Sequence, residues 1–381
     1  MVKEYTERDV LRLGKRYNNK KRTYLLIDPI QAKHIPAIPS ESLSMMTSLG
    51  KKVAMKYSEA KLVIGFAETA TAIGVAVASC LDGDCMYIHT TREDTGIAAN
   101  VIEFLEEHSH AAEQKLVFGY AAEYVEHTNE IIIVDDEIST GKTIINIVRK
   151  MRDMFPGSRE KKIIAASVIN RLTPENHARL RAEGIECECL VKLVNIDYTD
   201  AVRNIEISAP TEADGDICGL RTEEITLNER LPDPRLGVVI SEYISSCKAA
   251  AEELLSAVKE DLNRTDDVLV MGTEEFMYPA IAAAREMEER KIVNSVRCHS
   301  TTRSPIGING SEDYPIKNGY KIPSFYESGR DTYIYDLRKY DKVIIITDSR
   351  SDITEAKSKI SAALANSGNK NIVFVRVMRN A

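Results

Sequence analysis

The sequence predicts an α/β protein with two domains, each built on a mostly parallel β-sheet. Apolar runs that are typical of buried strands alternate with amphipathic helical patterns along the chain. The length of 381 residues fits two or three domains. The pattern of the first half also recurs in the second half.

Five apolar runs predict the strands of the first domain. They are LVIGF (62–66), CMYIHT (85–90), IIIVDD (131–136), IIAASVI (163–169) and CECLVKLV (187–194). Continuous runs of Val and Ile are typical of strands that are buried on both faces of a parallel sheet. Segments 143–154 and 174–182 lie between these strands and have the pattern of amphipathic helices. The first domain is therefore expected to be Rossmann-like, with helices that connect parallel strands.

The regular pattern breaks between residues 205 and 235, where the sequence is polar and contains Gly and Pro. Such a composition favours a linker or an irregular crossing. We therefore predict a first domain over residues 1–205, a linker over 206–235 and a second domain over 236–381.

Four segments of the first half have counterparts in the same order in the second half. The pairs are LVIGFAE (62–68) with VLVMGTEE (268–275), TTR (90–92) with TTR (301–303), IIIVDDE (131–137) with IIITDSR (344–350), and IIAASVI (163–169) with NIVFVRV (371–377). Their similar spacing predicts an internal duplication, in which the second domain is a degenerate Rossmann-like repeat that ends one strand early. The alternative is that two unrelated α/β domains share the same strand–turn–helix rhythm.

The charge balance argues against two classes of partner. The chain has 50 Lys and Arg residues against 58 Asp and Glu residues, a formal net charge of −8. Nucleic acids and anionic membranes attract clustered basic side chains, so we expect neither as a partner.

Three features predict a soluble, cytoplasmic protein. The seven cysteines lack the spacing of a zinc site, which favours reduced thiols. The N-terminal segment MVKEYTERDV lacks the apolar stretch of a signal peptide. The most apolar stretch, residues 62–81, contains Glu68 as well as Thr and Gly, whereas a membrane helix needs about 20 nearly uninterrupted apolar residues.

The segment IIIVDDEISTGKT (131–143) carries the sharpest functional signal. A buried strand leads into Asp135 and Asp136, then into a Ser/Thr/Gly turn, and then into a helix. The N-terminus of a helix presents backbone N–H groups and the positive end of a dipole, which suits a phosphate. Adjacent carboxylates at the carboxyl end of a strand instead fit neutral hydroxyls or a metal ion. The segment therefore predicts a site for a sugar phosphate with free hydroxyls.

This segment resembles the loop of type I phosphoribosyltransferases that binds 5-phosphoribosyl-1-pyrophosphate (PRPP): four apolar residues, two acids and a Thr/Gly-rich turn. The resemblance implies that Asp135 and Asp136 hold the ribose hydroxyls, that Mg²⁺ is the cofactor and that the protein is a homodimer. It also implies that the 5-phosphate is bound by the turn residues Ser139, Thr140, Gly141, Lys142 and Thr143. Lys142 replaces the small residue that the family often has, and it either adds charge at the phosphate or points to solvent.

Two other interpretations of this segment remain open. STGKT resembles the end of a Walker A loop, but that loop needs a Gly where this chain has Asp136. IIIVDDE likewise resembles a Walker B strand, yet no GxxxxGK[ST] motif precedes it. The other interpretation is a buried strand that ends in two solvated acids.

The same resemblance implies that two further segments contact pyrophosphate. The loop after the first core strand contributes Ala67, Glu68 and Thr69. Arg92 is the natural pyrophosphate ligand after the second strand, since a guanidinium pairs well with phosphate oxygens. Glu68 is unexpected beside an anion unless it meets Mg²⁺ or water.

The family's flexible catalytic loop and its hood fall on two less regular segments. The loop corresponds to residues 93–118, in which His108 and His110 are candidates to stabilise or protonate the leaving group. The hood corresponds to residues 1–55, with Lys33 and His34 facing the acceptor. The alternatives are a solvated cluster at a helix end for the histidines and a basic surface ribbon for the hood.

A narrower resemblance covers nearly the whole chain. The sequence TTRSPIG (301–307), together with KHIP (33–36) and EEHSHA (106–111), resembles proteins that carry a TRSP domain after a phosphoribosyltransferase. These proteins belong to bacterial tellurite-resistance and stress-response gene clusters, and the resemblance implies a role in making a nucleoside-like metabolite. Thr302, Arg303, Ser304 and Asp348 are then either an altered ligand site or part of a structural or dimerising remnant.

Taken with the resemblance, the sequence predicts a Mg²⁺-dependent phosphoribosyltransferase. It would use PRPP as donor to an unknown small-molecule acceptor and release pyrophosphate. Two alternatives stay open. One is a PRPP or nucleotide sensor that does not turn over. The other is the reverse chemistry, in which pyrophosphate or phosphate attacks a nucleotide.

Overall fold

The computed structural model describes residues 3–19, 22–104, 114–194, 197–215 and 217–380. Its α-helices are α1 (Glu7–Val10), α2 (Pro39–Ala54), α3 (Thr71–Ala78), α4 (Ala122–His127), α5 (Lys142–Met154), α6 (Pro174–Ala182), α7 (Thr199–Arg203), α8 (Ile240–Val258), α9 (Tyr278–Arg290) and α10 (Thr354–Asn366). Short 3₁₀ helices cover Gly119–Ala121, Pro156–Glu160 and Lys259–Asp261. No helix among the described residues is long and apolar enough to cross a bilayer.

The strands of the first half are β1 (Arg12–Lys15), β2 (Tyr24–Ile27), β3 (Leu62–Gly65), β4 (Met86–His89), β5 (Val101–Phe104), β6 (Gln114–Val117), β7 (Glu130–Ile138), β8 (Lys162–Asn170) and β9 (Ile185–Lys192). Those of the second half are β10 (Thr211–Glu212), β11 (Arg221–Leu231), β12 (Val238–Val239), β13 (Asp267–Gly272), β14 (Ser295–Ser300), β15 (Gly319–Pro323), β16 (Asp331–Tyr335), β17 (Lys342–Thr347) and β18 (Asn371–Arg379). The strands and helices alternate as the sequence predicts, and the α/β class with parallel sheets is confirmed.

The chain forms two compact units whose residues are not contiguous in sequence. Unit 1 contains the described residues up to Glu7, together with Ser44–Asp197 and Pro232–Ser245. Unit 2 contains Arg8–Leu43, Tyr198–Leu231 and the residues from Ser246 onward. Part of the segment expected to be a hood therefore clusters with unit 2, as does part of the expected linker.

Packing and strand pairing explain these two placements. Leu25 and Ile27 of β2 are buried in one apolar cluster with Ile306 and Tyr335 of unit 2. The polar stretch that suggests a linker contains β11, which pairs in parallel with β18 at the edge of a sheet. An edge strand with many exposed side chains lacks the continuous apolar run that marks a buried strand.

The main sheet of unit 1 has the strand order β12-β4-β3-β7-β8-β9. The five strands β4, β3, β7, β8 and β9 are parallel, and β12 pairs antiparallel to β4 at one edge. Numbered along the chain, the parallel strands follow the order 2-1-3-4-5, so the chain changes direction across the sheet between β3 and β7. Ligands of open α/β sheets bind outside the carboxyl ends of the strands at such a switch point.

Close packing of β4 against α3 fixes the loop that follows β3. The Tyr87 hydroxyl donates a 2.6 Å hydrogen bond to the carbonyl of Thr71 at the start of α3. A Cβ at Gly74 would lie 2.6 Å from the Tyr87 ring, and one at Gly65 would lie 2.8 Å from its hydroxyl oxygen. The two glycines therefore let α3 and β3 approach the tyrosine, which fixes both ends of the connecting loop.

The main sheet of unit 2 is fully parallel and has the order β11-β18-β17-β13-β14. Read from the other edge, β14-β13-β17-β18 repeats the order of β4-β3-β7-β8 in unit 1. The position that β9 holds in unit 1 is held here by β11, which comes from before the repeat in the sequence. The second copy ends one strand early, and β11, which precedes it in the sequence, supplies the fifth strand of its sheet.

Equivalent hydrogen bonds accompany the repeated strand order. In unit 1 the amide of Ala67 donates to the Thr90 hydroxyl oxygen at 2.8 Å. In unit 2 the amide of Glu274 donates to the Thr301 hydroxyl oxygen at 2.9 Å. Both bonds join the loop after the first core strand to the first Thr of a TTR segment, so the sequence repeat is also a repeat of local structure.

Candidate active site

The acid pair lies near the carboxyl end of the central strand of unit 1. Residues 131–134 of β7 are fully buried in the sheet, whereas Asp135 and Asp136 are half-buried. One carboxylate oxygen of Asp135 accepts a 2.9 Å hydrogen bond from the backbone amide of Asp136. The apolar part of the strand thus anchors two carboxylates at the sheet edge where ligands bind.

A side-chain hydrogen bond joins this pair to the loop after β3. The Thr69 hydroxyl donates to Asp136 Oδ1 at 2.9 Å. Just before this loop, the amide of Phe66 donates to the carbonyl of Val134 at 2.9 Å. Because β3 and β7 flank the switch point, Thr69 and Asp136 meet at the place where the topology predicts a ligand.

The loop after β3 is held from its other side by Gln114. The Gln114 amide nitrogen donates to the carbonyl of Ala67 at 3.1 Å, and its oxygen accepts the Thr90 hydroxyl at 2.6 Å. All three residues are buried, and the Ala67–Glu68 peptide bond is cis. Gln114 was not predicted from the sequence, since a single Gln at the start of a strand carries no recognisable pattern.

The turn after β7 ends at a left-handed glycine that begins α5. Gly141 has φ +73° and ψ 2°, and it precedes the helix as its N-cap. A Cβ at this position would lie 2.6 Å from Leu180 Cδ1, so backbone conformation and packing both require glycine. Lys142 is exposed in the first helical turn, and Thr143 is half-buried. The N-terminus of this 13-residue helix can therefore receive an anion beside the carboxylates.

A buried ion pair fixes the third acid of the DDE sequence. Glu137 pairs with the Arg171 guanidinium, and both side chains are largely buried. Arg171 follows β8, the neighbour of β7 in the sheet. The pair compensates the charge of Glu137 within the protein, which separates this acid from the neighbouring carboxylates of Asp135 and Asp136. Sequence analysis did not assign a role to either partner.

Arg92 also lies at this edge of the sheet, because it follows β4. It is half-buried. The preceding residue, Thr91, exchanges two backbone hydrogen bonds with Lys115, of 2.8 and 2.7 Å. His108 and His110 lie outside the described residues, and their predicted role stays a prediction.

The predicted acceptor residues lie in unit 2. Lys33 is fully buried, and its ammonium donates a 2.7 Å hydrogen bond to the carbonyl of Glu274. His34 is also buried. The structure thus does not bring these two residues together with the acid pair within one compact unit.

Of the residues predicted for a second site, Thr302 and Arg303 lie after β14. The backbone of Thr302 pairs with that of Tyr333. The Arg303 guanidinium contacts Glu274 at 2.9 Å and Glu275 at 3.5 Å. Both glutamates are buried, so this arginine is already neutralised by residues of its own unit.

Ser304 and Asp348, the other two residues predicted for that site, are also engaged within unit 2. The Tyr335 hydroxyl donates to the carbonyl of Ser304 at 2.8 Å. Asp348 is buried, accepts the Tyr326 hydroxyl at 2.6 Å, and pairs with Arg379 at 3.3 Å. Asp348 is therefore enclosed by protein groups of its own unit.

The donor set of unit 1 fits Mg²⁺ only together with a substrate. In the part of the chain that the structure describes, no group of three or more His, Cys, Asp or Glu side chains is arranged to hold a metal ion. Mg²⁺ is commonly bound by one or two carboxylates, with phosphate oxygens and water as its other ligands. Asp135 and Asp136 match that pattern.

Two family models match the chain. One, described as a phosphoribosyl transferase, matches residues 10–198. The other, described as the TRSP domain that lies C-terminal to that transferase domain, matches residues 234–364. No curated protein matches the sequence.

Three solved structures match parts of this chain at low identity. The first is an adenine phosphoribosyl transferase from Trypanosoma brucei in complex with AMP, pyrophosphate and ribose-5-phosphate (18% identity, 40% of this chain and 65% of that chain covered, TM-score 0.31). The second is an APRTase from Giardia lamblia complexed with 9-deazaadenine (12% identity, 49% of this chain and 94% of that chain covered, TM-score 0.35). The third is a hypothetical protein from Neisseria gonorrhoeae with bound ppGpp (10% identity, 45% of this chain and 95% of that chain covered, TM-score 0.27). The match spans just under two thirds of the Trypanosoma protein.

Proposed function

Because the chain belongs to the family in which a phosphoribosyl transferase domain is followed by a TRSP domain, we propose that unit 1 binds PRPP and transfers its phosphoribosyl group to a small-molecule acceptor. The observation that carries this proposal is the hydrogen bond from Thr69 to Asp136 across the switch point. It joins the strand-end loop to the acid pair at the sheet edge where the glycine-capped helix α5 also begins.

Each half of this site suits a different half of PRPP. The carboxylates of Asp135 and Asp136 accept hydrogen bonds from the two neutral ribose hydroxyls. The backbone amides at the start of α5 and the hydroxyls of the preceding turn donate to the 5-phosphate. The carboxylates favour neutral hydroxyls, whereas the N-terminus of α5 favours an anion. A sugar phosphate with a free diol meets both requirements.

The leaving group would lie toward the loops after β3 and β4. Arg92 is placed there to pair with pyrophosphate oxygens, since a guanidinium matches phosphate geometry. When bound, Mg²⁺ would neutralise charge on the pyrophosphate as it departs. Asp135 and Asp136 would be the protein ligands closest to that ion.

The reaction is a substitution at C1 of the ribose. The bond from C1 to the pyrophosphate oxygen breaks, and that oxygen keeps the electron pair. The acceptor's nucleophilic atom forms the new bond to C1, and its proton passes to the released pyrophosphate or to solvent. Positive charge develops on the ribose in the transition state, and the negative charge of the half-buried carboxylates stabilises it. Most of the rate acceleration would come from this electrostatic effect and from positioning.

Calorimetric titration of PRPP with Mg²⁺ tests the donor site. Asp136→Ala should weaken binding about 100-fold, because it removes a charged hydrogen-bond acceptor and a metal ligand. Asp153→Ala is the matched control, since Asp153 is an exposed acid near the end of α5 in the same unit. It should leave the affinity unchanged. Equal PRPP affinity in wild type and Asp136→Ala would refute the assignment.

Pyrophosphate release separates turnover from sensing. A transferase releases one pyrophosphate per PRPP when the correct acceptor is present. The reverse reaction consumes pyrophosphate with a nucleotide as substrate. Mg²⁺-dependent PRPP binding without release against nucleobases, amines and other small nucleophiles would support the sensor instead.

A further inference from the structure

Both units carry an antiparallel hairpin inserted after their second core strand. In unit 1 it is formed by β5 and β6, and in unit 2 by β15 and β16. The two hairpins attach in the same way, through the bridge of Thr91 with Lys115 and the bridge of Thr302 with Tyr333. Residues 324–330 connect β15 to β16 in the hairpin of unit 2.

Strand register identifies the counterpart of Asp136. Gly65 of β3 pairs with Val134 of β7, and Gly272 of β13 pairs with Ile346 of β17. Two residues further along the chain, Asp348 thus holds the position of Asp136. The following helices, α5 and α10, begin at the same distance from these two acids.

In unit 2 the connecting segment covers this acid. The Tyr326 hydroxyl donates to Asp348 at 2.6 Å. Ser349 and Ser351, in the turn after β17, donate to the carbonyls of Phe325 and Tyr326, the latter at 2.7 Å. The groups that correspond to the diol and phosphate site of unit 1 are thus bonded to residues of their own chain.

A second internal contact involves Glu274, the counterpart of Ala67. Its buried carboxylate contacts Arg303 at 2.9 Å and Arg330 at 3.3 Å. It also accepts the Ser324 hydroxyl at 2.6 Å and the Phe325 amide at 3.2 Å. The backbone of Glu274 has φ +48°, a conformation that non-glycine residues adopt rarely and at a cost in free energy. The carboxylate of Glu274 is therefore held between two guanidinium groups, although the backbone of this residue is strained.

We infer that unit 2 retains the frame of a ribose-phosphate site whose polar positions are filled by its own side chains, so that one chain binds one PRPP. The carboxylate of Glu274 stands where pyrophosphate would pair with Arg303, and the Tyr326 hydroxyl stands where a ribose hydroxyl would meet Asp348. The comparison with PRPP rests on the function proposed for unit 1. The internal occupancy itself does not, and it can be tested without PRPP.

Removing the internal anion should create an anion site. Glu274→Ala leaves the half-buried guanidinium groups of Arg303 and Arg330 without that carboxylate, so we expect the melting temperature to fall by roughly 5 to 10 °C. Acetate, which matches the deleted carboxylate group, should restore part of this loss, whereas chloride at equal ionic strength should not. Glu327→Ala is the control, because Glu327 pairs with Arg330 at 2.8 Å but is 57% exposed. It should lower the melting temperature little and show no acetate effect.

Three results would overturn the inference. One is a Glu274→Ala protein that melts like Glu327→Ala and does not respond to acetate. Another is binding of two PRPP per wild-type chain. The third applies if Glu274→Ala does not fold and the milder Glu274→Gln is used in its place. In that case, a Glu274→Gln protein with the melting temperature of wild type would overturn the inference. Absence of any PRPP binding would refute the function proposed for unit 1, and the acetate experiment would still decide the occupancy of unit 2.

Discussion

The hydroxyl of Thr69 lies 2.9 Å from a carboxylate oxygen of Asp136 and donates to it. This bond connects the loop after β3 to strand β7, and the strand order changes direction between these two strands. It orients Asp136 and also brings the loop proposed to contact pyrophosphate beside the acid proposed to contact ribose. One hydrogen bond thus aligns the two ends of the proposed donor site.

Replacing Thr69 tests this alignment. Thr69→Val keeps the shape of the side chain but removes the donor, and a hydrogen bond to a charged group contributes about 1.5–3 kcal/mol. We expect PRPP affinity to fall about tenfold, as measured by calorimetry. Thr69→Ser should retain most of the affinity, because it keeps the hydroxyl. Equal losses in the two variants would mean that shape, and not the hydrogen bond, is what matters.

Replacing Gly141 tests the turn at the start of α5. Gly141→Ala should lower the free energy of unfolding by about 2 kcal/mol or more, because alanine is strained at φ +73° and its Cβ would meet Leu180. Gly96→Ala is the matched control, since Gly96 has φ +70° with nothing within 4 Å of the added Cβ. Urea denaturation should show a smaller loss there. A similar cost for both variants would assign the effect to backbone strain alone.

Replacing Gln114 tests the support of the loop after β3. Gln114→Leu leaves the buried Thr90 hydroxyl and the Ala67 carbonyl without this partner. We expect the free energy of unfolding to fall by about 1–3 kcal/mol, and PRPP affinity to weaken because the loop is no longer held in place. Gln114→Glu keeps an acceptor for Thr90 but loses the donor to Ala67. An intermediate affinity for this variant is the expected result, and wild-type affinity in Gln114→Leu would contradict the positioning role.

The stability of unit 2 should depend on pH through His299. Burial lowers the pKa of His299 from 6.5 to about 4, and the nearby ammonium of Lys33 also lowers it. The unfolded chain therefore takes up a proton at a higher pH than the folded chain does. As pH falls from about 6.5 to about 4, unfolding becomes easier by up to about 3 kcal/mol. His299→Gln should flatten this dependence in denaturation experiments, whereas His127→Gln, at an exposed position, should not.

The fold was largely predictable because the core strands of both units are buried on both faces. The run Ile131–Val134 reads as a strand from composition alone, and the repeated TTR segments fix the spacing of the second copy. Edge strand β11 was not predictable in this way, because most of its side chains are exposed and its sequence is polar. Its partner β18 lies more than a hundred residues away along the chain.

The family resemblance also points to Thr69 and Arg92, but from residue types alone the candidate site was predictable only where its residues are close in sequence. Asp135, Asp136 and Gly141 lie in one strand–turn–helix segment, whose chemistry follows from their order. The contacts of Thr69 and Gln114 depend on which strands are neighbours in the sheet, and strand order is not encoded in any local pattern. The same holds for Lys33, whose ammonium donates to the backbone carbonyl of Glu274, far away along the chain.

The most direct test of the central claim is a calorimetric titration of PRPP with Mg²⁺ into wild type and Asp136→Asn. This substitution keeps the size of the side chain and removes its negative charge. The proposed site predicts one PRPP per wild-type chain, dependence on Mg²⁺, and at least tenfold weaker binding to the variant. Binding that is independent of Mg²⁺ and equal in both proteins would contradict it.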